Sequence, residues 1–338
     1  MEIRRLEPWE HGKTRSLYEE VFSEDDKKFV DYYYKWKIRD SRIYVAEDGG
    51  EIQAMVHANP FLVWVRGTVQ RLHYIVAVAT RKPYRHRGLM RALLELAEQD
   101  MAENGECFTF LMPAAEQIYA PLGYRFFSRQ RCGVLRGALS SKMRILAADL
   151  HSFAEKGDRF VCEPEEPREV CCRPVQQKEY AALADFVNGI LQKQYDVFIY
   201  RDAAYYERLS AEQKCQGGNV MILIHKKEDG IGNPNQREAQ NEMQTPGVEI
   251  IGTFCTSAED GQQLELREVI LAPEYMKAGT EALLRYVGTE DGCKVFGCQP
   301  ELFLEEIQMK PLLMGKAPCG GVFCSDWDAD RVYINEVV

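Results

Sequence analysis

One segment, Val78 to Met90, restricts the fold more than any other part of this chain. It reads Val-Ala-Thr-Arg-Lys-Pro-Tyr-Arg-His-Arg-Gly-Leu-Met and joins an apolar run of strand length to a stretch with helical periodicity. The first turn of a helix presents free backbone N–H groups and the positive end of the helix dipole. Gly88 lets a ligand approach the backbone closely, because glycine has no Cβ atom. With basic residues around it, the junction is predicted to bind an anion such as a pyrophosphate.

Two familiar phosphate-binding patterns are absent from this segment, since neither Gly-x-x-x-x-Gly-Lys-Ser/Thr nor Gly-x-Gly-x-x-Gly occurs in it. Taken alone, the segment also fits a plain helix cap beside solvated basic side chains, and the residues leave that alternative open. The neighbouring elements narrow the choice. Apolar periodicity and turn residues predict the order β-α-α-β-β-β-α-β-α-β for the first ~140 residues.

The second half of the chain repeats this order coarsely, because Leu264–Val287 has the pattern of Leu72–Ala97. It lacks an Arg-rich, Gly-ended loop at the corresponding place. An acidic stretch with several prolines separates the halves. We therefore predict an α/β chain with mixed sheets, in which residues 1–145 form a first domain, 146–170 a linker and 171–338 a second domain without the loop.

Composition restricts the class of protein and its partners. The formal net charge is −10 over 338 residues, which disfavours nucleic acid as a partner. No apolar run approaches the ~20 residues that span a bilayer, and no secretory signal opens the sequence, so we expect a cytoplasmic protein without a membrane partner. The 11 cysteines show no Cys-x-x-Cys spacing and no metal-type pairing with histidine, which predicts reduced thiols and no metal.

Two motifs resemble those of a known family. Arg85-His86-Arg87-Gly88-Leu89-Met90 resembles the Arg/Gln-x-x-Gly-x-Gly/Ala acyl-CoA loop of the GNAT N-acetyltransferases. Ile118-Tyr119-Ala120-Pro121-Leu122-Gly123-Tyr124 resembles the Ile-Tyr-x-x-x-Gly-Tyr segment of the enhanced intracellular survival branch of that superfamily. The detailed resemblance covers about residues 1–140. It implies tandem GNAT-like acyl-CoA N-acyltransferase folds, of which the second copy is degenerate.

The sequence departs from that branch in two respects. Met90 stands where many GNAT enzymes have glycine or alanine. The residues after the linker leave room for a second GNAT repeat but not for the sterol-carrier-like domain that the branch usually adds.

The resemblance also implies a site. Acetyl-CoA would be the co-substrate, and Tyr119 would be the general acid that protonates the leaving thiolate. In that branch a terminal carboxylate can act as the base, which implies Val338 here. The residues expected to bind acetyl-CoA are Ala77, Val78, Ala79, Arg85, His86, Arg87, Gly88, Leu89 and Met90.

Several points remain open from the sequence. The base could also be His57, His73 or Glu116, although each also fits a structural role. Aromatic residues at 32–34 and 36 could surround a cationic amine or pack in a core. We predict transfer of acetyl to a primary amine, either a small cation or a lysine; the alternatives are a non-catalytic acyl-CoA sensor or scaffold and a tRNA-directed acetyltransferase. The resemblance leaves a homo-oligomer open.

Overall fold

A computed structural model describes residues 1–136, 170–226, 248–257, 264–288, 292–302, 304–318 and 328–335. The predicted linker at 146–170 lies outside these residues except for Val170, and so does Val338. In the part of the chain that is described, no helix is long and apolar enough to cross a membrane.

The strands form one nine-stranded and one seven-stranded sheet. They are β1 (Glu2–Arg5), β2 (Arg42–Asp48), β3 (Glu51–Val65), β4 (Thr68–Thr80), β5 (Thr109–Leu111), β6 (Arg125–Phe126), β7 (Arg129–Leu135), β8 (Val170–Pro174), β9 (Val197–Ile199), β10 (Val220–Lys226), β11 (Val248–Ser257), β12 (Glu265–Leu271), β13 (Cys293–Cys298), β14 (Glu305–Pro311), β15 (Met314–Lys316) and β16 (Val332–Tyr333). The α-helices are α1 (Arg15–Val21), α2 (Lys27–Tyr32), α3 (Leu89–Glu103), α4 (Glu116–Tyr119), α5 (Tyr180–Gln194), α6 (Ala203–Cys215) and α7 (Met276–Val287).

The chain divides into two compact units that are not continuous in sequence. Unit 1 contains Met1–Arg129, Leu191–Tyr200 and Pro311–Val338, and unit 2 contains Gln130–Ile190 and Arg201–Lys310. Each unit has a mixed sheet with helices, which confirms the predicted fold class. The predicted domains, residues 1–145 and 171–338, are each continuous in sequence. Their boundaries stay a prediction.

In unit 1 the sheet follows the order β1-β2-β3-β4-β5-β15-β6. Its centre is the long hairpin of β3 and β4, which turns at Arg66 and Gly67, both with positive φ. Such two-residue turns match the twist of the flanking strands. The helix α3 packs on one face of the sheet, because its apolar residues recur at helical spacing and are buried: Leu89, Leu93, Leu94, Ala97 and Met101. The helices α1 and α2 contribute to the core cluster that contains Ile43, Val45 and Met55.

Three strands of unit 1 come from after residue 190, at places where the patterns predicted none. The strand β15 lies between β5 and β6 and is antiparallel to both. The strand β9 pairs with the end of β3, and β16 pairs with β9. Unit 1 therefore completes its sheet with residues that follow most of unit 2 in the chain.

Unit 2 has the sheet order β14-β7-β13-β12-β11-β10-β8. Its parallel pair is β12 and β13, and its helix α7 follows β12 as α3 follows β4 in unit 1. The strand β7, which pairs antiparallel with β13, comes directly after β6 in the sequence. The strand β7 thus opens the first segment of unit 2.

Candidate active site

The strands β4 and β5 of unit 1 pair over a short distance and then part. Their parallel register joins Tyr74 to Phe110 and Ile75 to Leu111. Beyond these pairs β4 continues to Thr80, whereas β5 has ended at Leu111. Pro113 follows two residues later and cannot donate a backbone hydrogen bond to a continued strand. One edge of β4 is consequently left open at the residues predicted to hold acetyl-CoA.

A β-bulge marks the beginning of this open edge. Ala77 has a φ of +50°, which is unusual for a residue with a side chain. The register with β3 shifts at the same place, since Met55 lies opposite Ala79 but His57 lies opposite Val76. Bulges re-aim the backbone next to functional sites. Here the bulge changes the direction of the backbone groups of Ala77 and its neighbours.

The loop after β4 forms the predicted junction with a helix. A short 3-10 turn, Lys82–Tyr84, is followed by His86 with φ +61° and Gly88 with φ +76°. The helix α3 begins directly after Gly88, which serves as its N-cap in the left-handed conformation. A Cβ atom on Gly88 would meet no atom within 4 Å, so the space in front of this backbone is open. The helix N-terminus is therefore accessible to an anion.

The basic side chains of the loop differ in their partners and exposure: Arg81 is paired with acids, whereas Arg85 and Arg87 are exposed. Arg81 is engaged by acids, with Nη1 at 2.9 Å from Glu51 and Nε at 3.2 Å from Glu20. Arg85 donates from Nε to the carbonyl of Thr80 at 3.0 Å, and it is exposed. Arg87 is exposed and its guanidinium lies 4.8 Å from the ring centre of Tyr84.

The predicted acid, Tyr119, lies at the end of α4. It is buried in the same apolar cluster as the sheet-facing side of α3, and burial raises the pKa of its phenol. Its ring meets that of Tyr124 edge to face, with centres 6.0 Å apart and planes at 72°. Gly123, with φ +91°, provides the turn between them, and the Tyr124 N–H donates to the Tyr119 carbonyl at 3.3 Å.

A second tyrosine, Tyr74, was missed by sequence reasoning. It is buried on β4 at the last pairs with β5, and its phenol is hydrogen-bonded to the backbone of Met112, just after β5. Burial raises its pKa, and the nearby phenol of Tyr119 raises it further. No motif marks this residue, because its place is fixed only by the pairing of β4 with β5.

The histidines considered as bases are both buried. His73 Nδ1 lies 2.8 Å from Glu106 Oε1, which also accepts from Arg42 at 2.9 Å. His57 contacts the hydroxyl of Tyr33 through Nδ1 at 3.0 Å, and its Nε2 has no hydrogen-bond partner. Burial, together with the nearby charge of His11, lowers the pKa of His57 to about 3.

The remaining candidates, the base Glu116 and the aromatic residues of the second helix, differ in their exposure. Glu116 is exposed at the start of α4. Tyr32 and Tyr33 are buried, while Trp36 is partly exposed and its ring lies 5.2 Å from the guanidinium of Arg39 and 5.9 Å from Lys35 Nζ. Among the described residues, no group of three His, Cys, Asp or Glu side chains is arranged to hold a metal ion.

Residues 2–127, the segment that contains the open edge, the loop and Tyr119, match a family model described as an acetyltransferase (GNAT) domain. The chain contains a GNAT acetyltransferase domain. The match covers the strands β1 to β6 and the helices α1 to α4. No curated protein matches the chain in sequence.

Solved structures resemble the chain over almost its whole length. A probable N-acyltransferase of unknown function from Enterococcus faecalis V583 covers 94% of this chain and 72% of its own, with 12% identity and a TM-score of 0.62. A GCN5-related N-acetyltransferase from Kribbella flavida covers 94% and 71%, with 17% identity and a TM-score of 0.60. Eis1 from Mycobacterium abscessus covers 94% and 74%, with 12% identity and a TM-score of 0.55.

At these identities the likeness concerns the fold. It extends beyond the GNAT domain that the family model matches, which supports tandem GNAT-like folds over the described chain. The predicted resemblance to the GNAT superfamily, and in fold to a member of the enhanced intracellular survival branch, is confirmed. The domain places the protein among the acyltransferases; the acyl donor, the acceptor and the roles of single residues need the arguments that follow.

Proposed function

We propose that the GNAT domain transfers acetyl from acetyl-CoA to a primary amine, with Tyr119 as the general acid. One observation carries this proposal: β4 is unpaired beyond Ile75 on the side of β5, directly before a helix N-terminus that is open to an anion. An elongated donor with a phosphate end and a thioester end fits both features. Tyr119 lies in the core cluster that also contains α3.

The residues present fit the donor at both ends. The N–H groups at the start of α3, with the exposed Arg85 and Arg87, would bind the pyrophosphate. His86 and Gly88 allow this approach through their positive φ, and Leu89 and Met90 continue into the helix. The open backbone at Ala77, Val78 and Ala79 would bind the pantetheine amides and the thioester carbonyl, where an N–H donor stabilises the developing oxyanion.

The reaction forms an N–C bond to the acceptor and breaks the C–S bond of the thioester. The acceptor must lose a proton, and the departing thiolate must gain one. Tyr119 can supply that proton, because burial raises its pKa and keeps the phenol protonated at neutral pH. The amine is present mainly as ammonium, because its reference pKa is ~10.4, so a base or a water chain has to accept its proton.

Neither buried histidine is placed as a free base. His57 stays neutral but binds a proton poorly, since its pKa is lowered to about 3. His73 is held by Glu106 at 2.8 Å. The carboxylate of Val338 lies outside the described residues and stays a prediction.

The acceptor class also stays a proposal. A cationic amine would be attracted by the acidic second half of the sequence. A cage around Trp36 receives no support, because Arg39 and Lys35 of the same chain already lie over its ring. A lysine side chain or a small cationic amine remains the acceptor class that we propose.

A second function, an acyl-CoA sensor or scaffold without turnover, is favoured by one observation. The two histidines near the open edge are buried, and neither offers an exposed ring nitrogen to a substrate amine. Such a protein would bind the donor in the same place and need no base.

Binding of acetyl-CoA, measured by calorimetry on the native protein, tests the proposed donor site. We expect Gly88→Glu to weaken binding by at least a hundredfold, because it adds a negative side chain at a positive-φ position in front of the anion site. Lys277→Glu is the matched control, since Lys277 is exposed in the first turn of α7, which follows the paired strand β12 of unit 2. Absence of binding by the native protein would contradict both the enzyme and the sensor.

Turnover separates the two functions. CoA thiol release would be measured with kanamycin, spermine and a lysine-containing peptide as acceptors. Acetylation of any of them, confirmed by a mass increase of the amine, supports the enzyme. Donor binding with no reaction above the rate of spontaneous hydrolysis supports the sensor.

Cytoplasmic residence belongs to the same proposal. It is supported by the free thiols of Cys132, Cys255, Cys293 and Cys298, which are typical of a reducing compartment. A homo-oligomer and the absence of a nucleic-acid partner stay predictions.

A further inference from the structure

The carboxylate of Glu98 is buried in an apolar part of unit 1. It lies on α3, the helix whose N-terminus forms the proposed anion site, and it is only 4% exposed. Leu94 and Ala97 precede it on α3 and belong to the apolar core cluster that also contains Met314. Burying an ionised carboxylate is costly unless its oxygens are paired.

Both oxygens of Glu98 have a donor from a different part of the chain. The hydroxyl of Tyr124 donates to Oε1 at 3.0 Å, and Nζ of Lys316 donates to Oε2 at 2.7 Å. Lys316 also lies over the ring of Tyr124, with Nζ 5.7 Å from its centre. Lys316 belongs to β15, which is hydrogen-bonded to β5 on one side and to β6 on the other.

This arrangement determines where the ring of Tyr124 lies, and Tyr124 in turn contacts Tyr119. The two rings meet edge to face at 6.0 Å, and a backbone hydrogen bond of 3.3 Å connects the two residues across Gly123. A Cβ atom on Gly123 would lie 3.4 Å from Cε of Lys316, so the turn itself packs against the lysine. Both the backbone and the ring of Tyr119 are therefore located by groups that Glu98 binds.

A purely structural need does not explain an ion pair at this place. Replacing a buried ion pair with apolar residues of similar volume is often neutral or stabilising. Charge-assisted hydrogen bonds, in contrast, fix direction as well as distance. A catalytic group must be held to within about 0.5 Å of its productive position, which is the demand that such a pair can meet.

We propose that Glu98 is a positioning residue: with Tyr124 and Lys316 it fixes the Tyr119 phenol relative to the helix that receives the CoA pyrophosphate. The inference rests on the proposed role of Tyr119 as the acid. Because Glu98 and Gly88 lie on the same helix, the acid and the donor site share one rigid element. Lys316 connects that element to the sheet beside the open edge.

A double-mutant cycle between Glu98→Gln and Tyr119→Phe tests the proposal, with Glu95→Gln as the matched control on the exposed side of α3. The assay is CoA thiol release with the fastest of kanamycin, spermine and a lysine peptide, or with water as acceptor where none reacts. In the native background we expect Glu98→Gln to lower kcat by about tenfold or more, with the Kd for acetyl-CoA changed by less than about twofold. Glu95→Gln should leave both unchanged.

In the Tyr119→Phe background, Glu98→Gln should lower kcat by less than about twofold, because there is no acid left to position. An equal loss in both backgrounds would mean a general structural role and would overturn the proposal. A kcat of Glu98→Gln equal to the native value would also overturn the proposal, provided that Tyr119→Phe itself loses turnover. A native kcat in Tyr119→Phe would instead overturn the acid role, and the positioning role with it.

Tyr124→Phe provides a second route if Glu98→Gln folds poorly. It keeps the ring against Tyr119 and removes only the hydroxyl that donates to Glu98. We expect a loss of kcat by about threefold, again absent in the Tyr119→Phe background. Far-UV circular dichroism and donor binding confirm that each variant is folded, and an unchanged kcat in Tyr124→Phe would contradict the proposed route through that hydroxyl.

Discussion

The two units carry the same pair of parallel strands, but one pair is open and the other is closed. In unit 1 the pairing of β4 with β5 stops at Ile75, two residues before the bulge at Ala77. In unit 2 the pairing of β12 with β13 continues past the equivalent bulge at Glu268, as far as Val269. A side chain then closes the remaining gap, since Gln299 accepts the Leu271 N–H at 2.7 Å.

The cause of the difference can be located in the chain. Counting from the paired residues, the position of Pro113 after β5 is taken in unit 2 by Gly297, which lies within β13. A proline has no N–H for a ladder, whereas a glycine can continue the strand. The proline agrees with the end of the pairing in unit 1, and β13 has no proline at the equivalent position.

The bulges themselves differ in what they expose. Ala77 offers little more than backbone, whereas Glu268 has a carboxylate that pairs with the buried Arg201 at 3.1 Å. The loop after β12 also lacks the positive-φ residues that precede α3, and α7 begins after Tyr275 with φ −107°. The comparison teaches that the repeat preserves the sheet, while the proposed binding of the donor depends on an edge of β4 that is left unpaired.

The largest expected effect concerns chemistry confined to unit 1. We expect Tyr119→Phe to lower kcat by about 10²-fold or more, because general-acid catalysis contributes that much, while acetyl-CoA binding stays unchanged. Tyr275→Phe is the control, since Tyr275 lies at the start of α7 in unit 2 and donates to Glu249 at 3.3 Å. Steady-state kinetics with calorimetry measures both; equal losses in the two variants would remove the distinction between the units.

The residues opposite the two bulges should make the stability of the two units depend on pH in opposite directions. His57 and Cys255 occupy equivalent places, opposite Val76 and Arg267, and both are buried. The pKa of His57 is lowered to about 3, chiefly by burial, so unfolding takes up a proton below ~6.5. Burial raises the pKa of Cys255 well above its usual value, so unfolding releases a proton above ~8.5.

The direction of each change in stability follows from the proton taken up or released on unfolding. As pH falls from ~6.5 toward 4, His57 should reduce the stability of unit 1 by about 1.4 kcal/mol per pH unit, and His57→Gln should remove that slope. Cys255 should reduce the stability of unit 2 as pH rises above ~8.5, and Cys255→Ala should remove that loss. Hydrogen exchange at β3 and β11 amides reports each unit separately. If a substitution leaves the dependence of stability on pH unchanged in its unit, the pKa shift of the replaced residue is contradicted.

Removing the Gln299 side chain, which closes the gap beside β12 in unit 2, should lower stability without opening a second donor site. Gln299→Ala leaves the buried Leu271 N–H without its acceptor, and we expect a loss of about 1–3 kcal/mol. Gln192→Ala, at an exposed position on α5, should change stability by less than about 0.5 kcal/mol. Chemical denaturation gives the free energies, and a second molar equivalent of bound acetyl-CoA in Gln299→Ala would show that this side chain alone keeps the edge closed.

The smallest effect distinguishes the bulge from the strand around it. Ala77→Gly should be neutral or stabilising, because φ +50° is unfavourable for alanine and free for glycine. Ala79→Gly, at a buried position of β4 without positive φ, should destabilise by about 0.5–1 kcal/mol. Thermal unfolding of the two variants measures the difference, and equal destabilisation would argue against a strained bulge at Ala77.

The sequence predicted the local parts of the candidate site well. The strand-loop-helix junction and the periodicity of α3 depend on neighbouring residues, and the structure has them where they were expected. The second helix of the predicted order, α2, is short and continues as a π-helical turn at Tyr33–Lys37. The role of each site residue is a separate matter and stays a prediction.

Long-range pairings could not be predicted in the same way. The short strand β15 has no pattern of its own, and it becomes a strand only because β5 and β6 accept it. The ion pair of Glu98 with Lys316 joins residues 218 positions apart, and in the sequence Glu98 resembles any solvated helix glutamate. Tertiary contacts of this kind decide burial, which local propensity cannot report.

The late position of β15 in the sequence also bears on how unit 1 folds during synthesis. The contact of Leu111 with Met314 closes a loop of about two hundred residues, so it forms late and at a high cost in chain entropy. Until Met314 leaves the ribosome, β5 and β6 each present an unpaired edge, which is a surface prone to aggregation. Unit 1 would therefore wait for β15 through the synthesis of most of unit 2, and chaperones that cover strand edges would be needed during that interval.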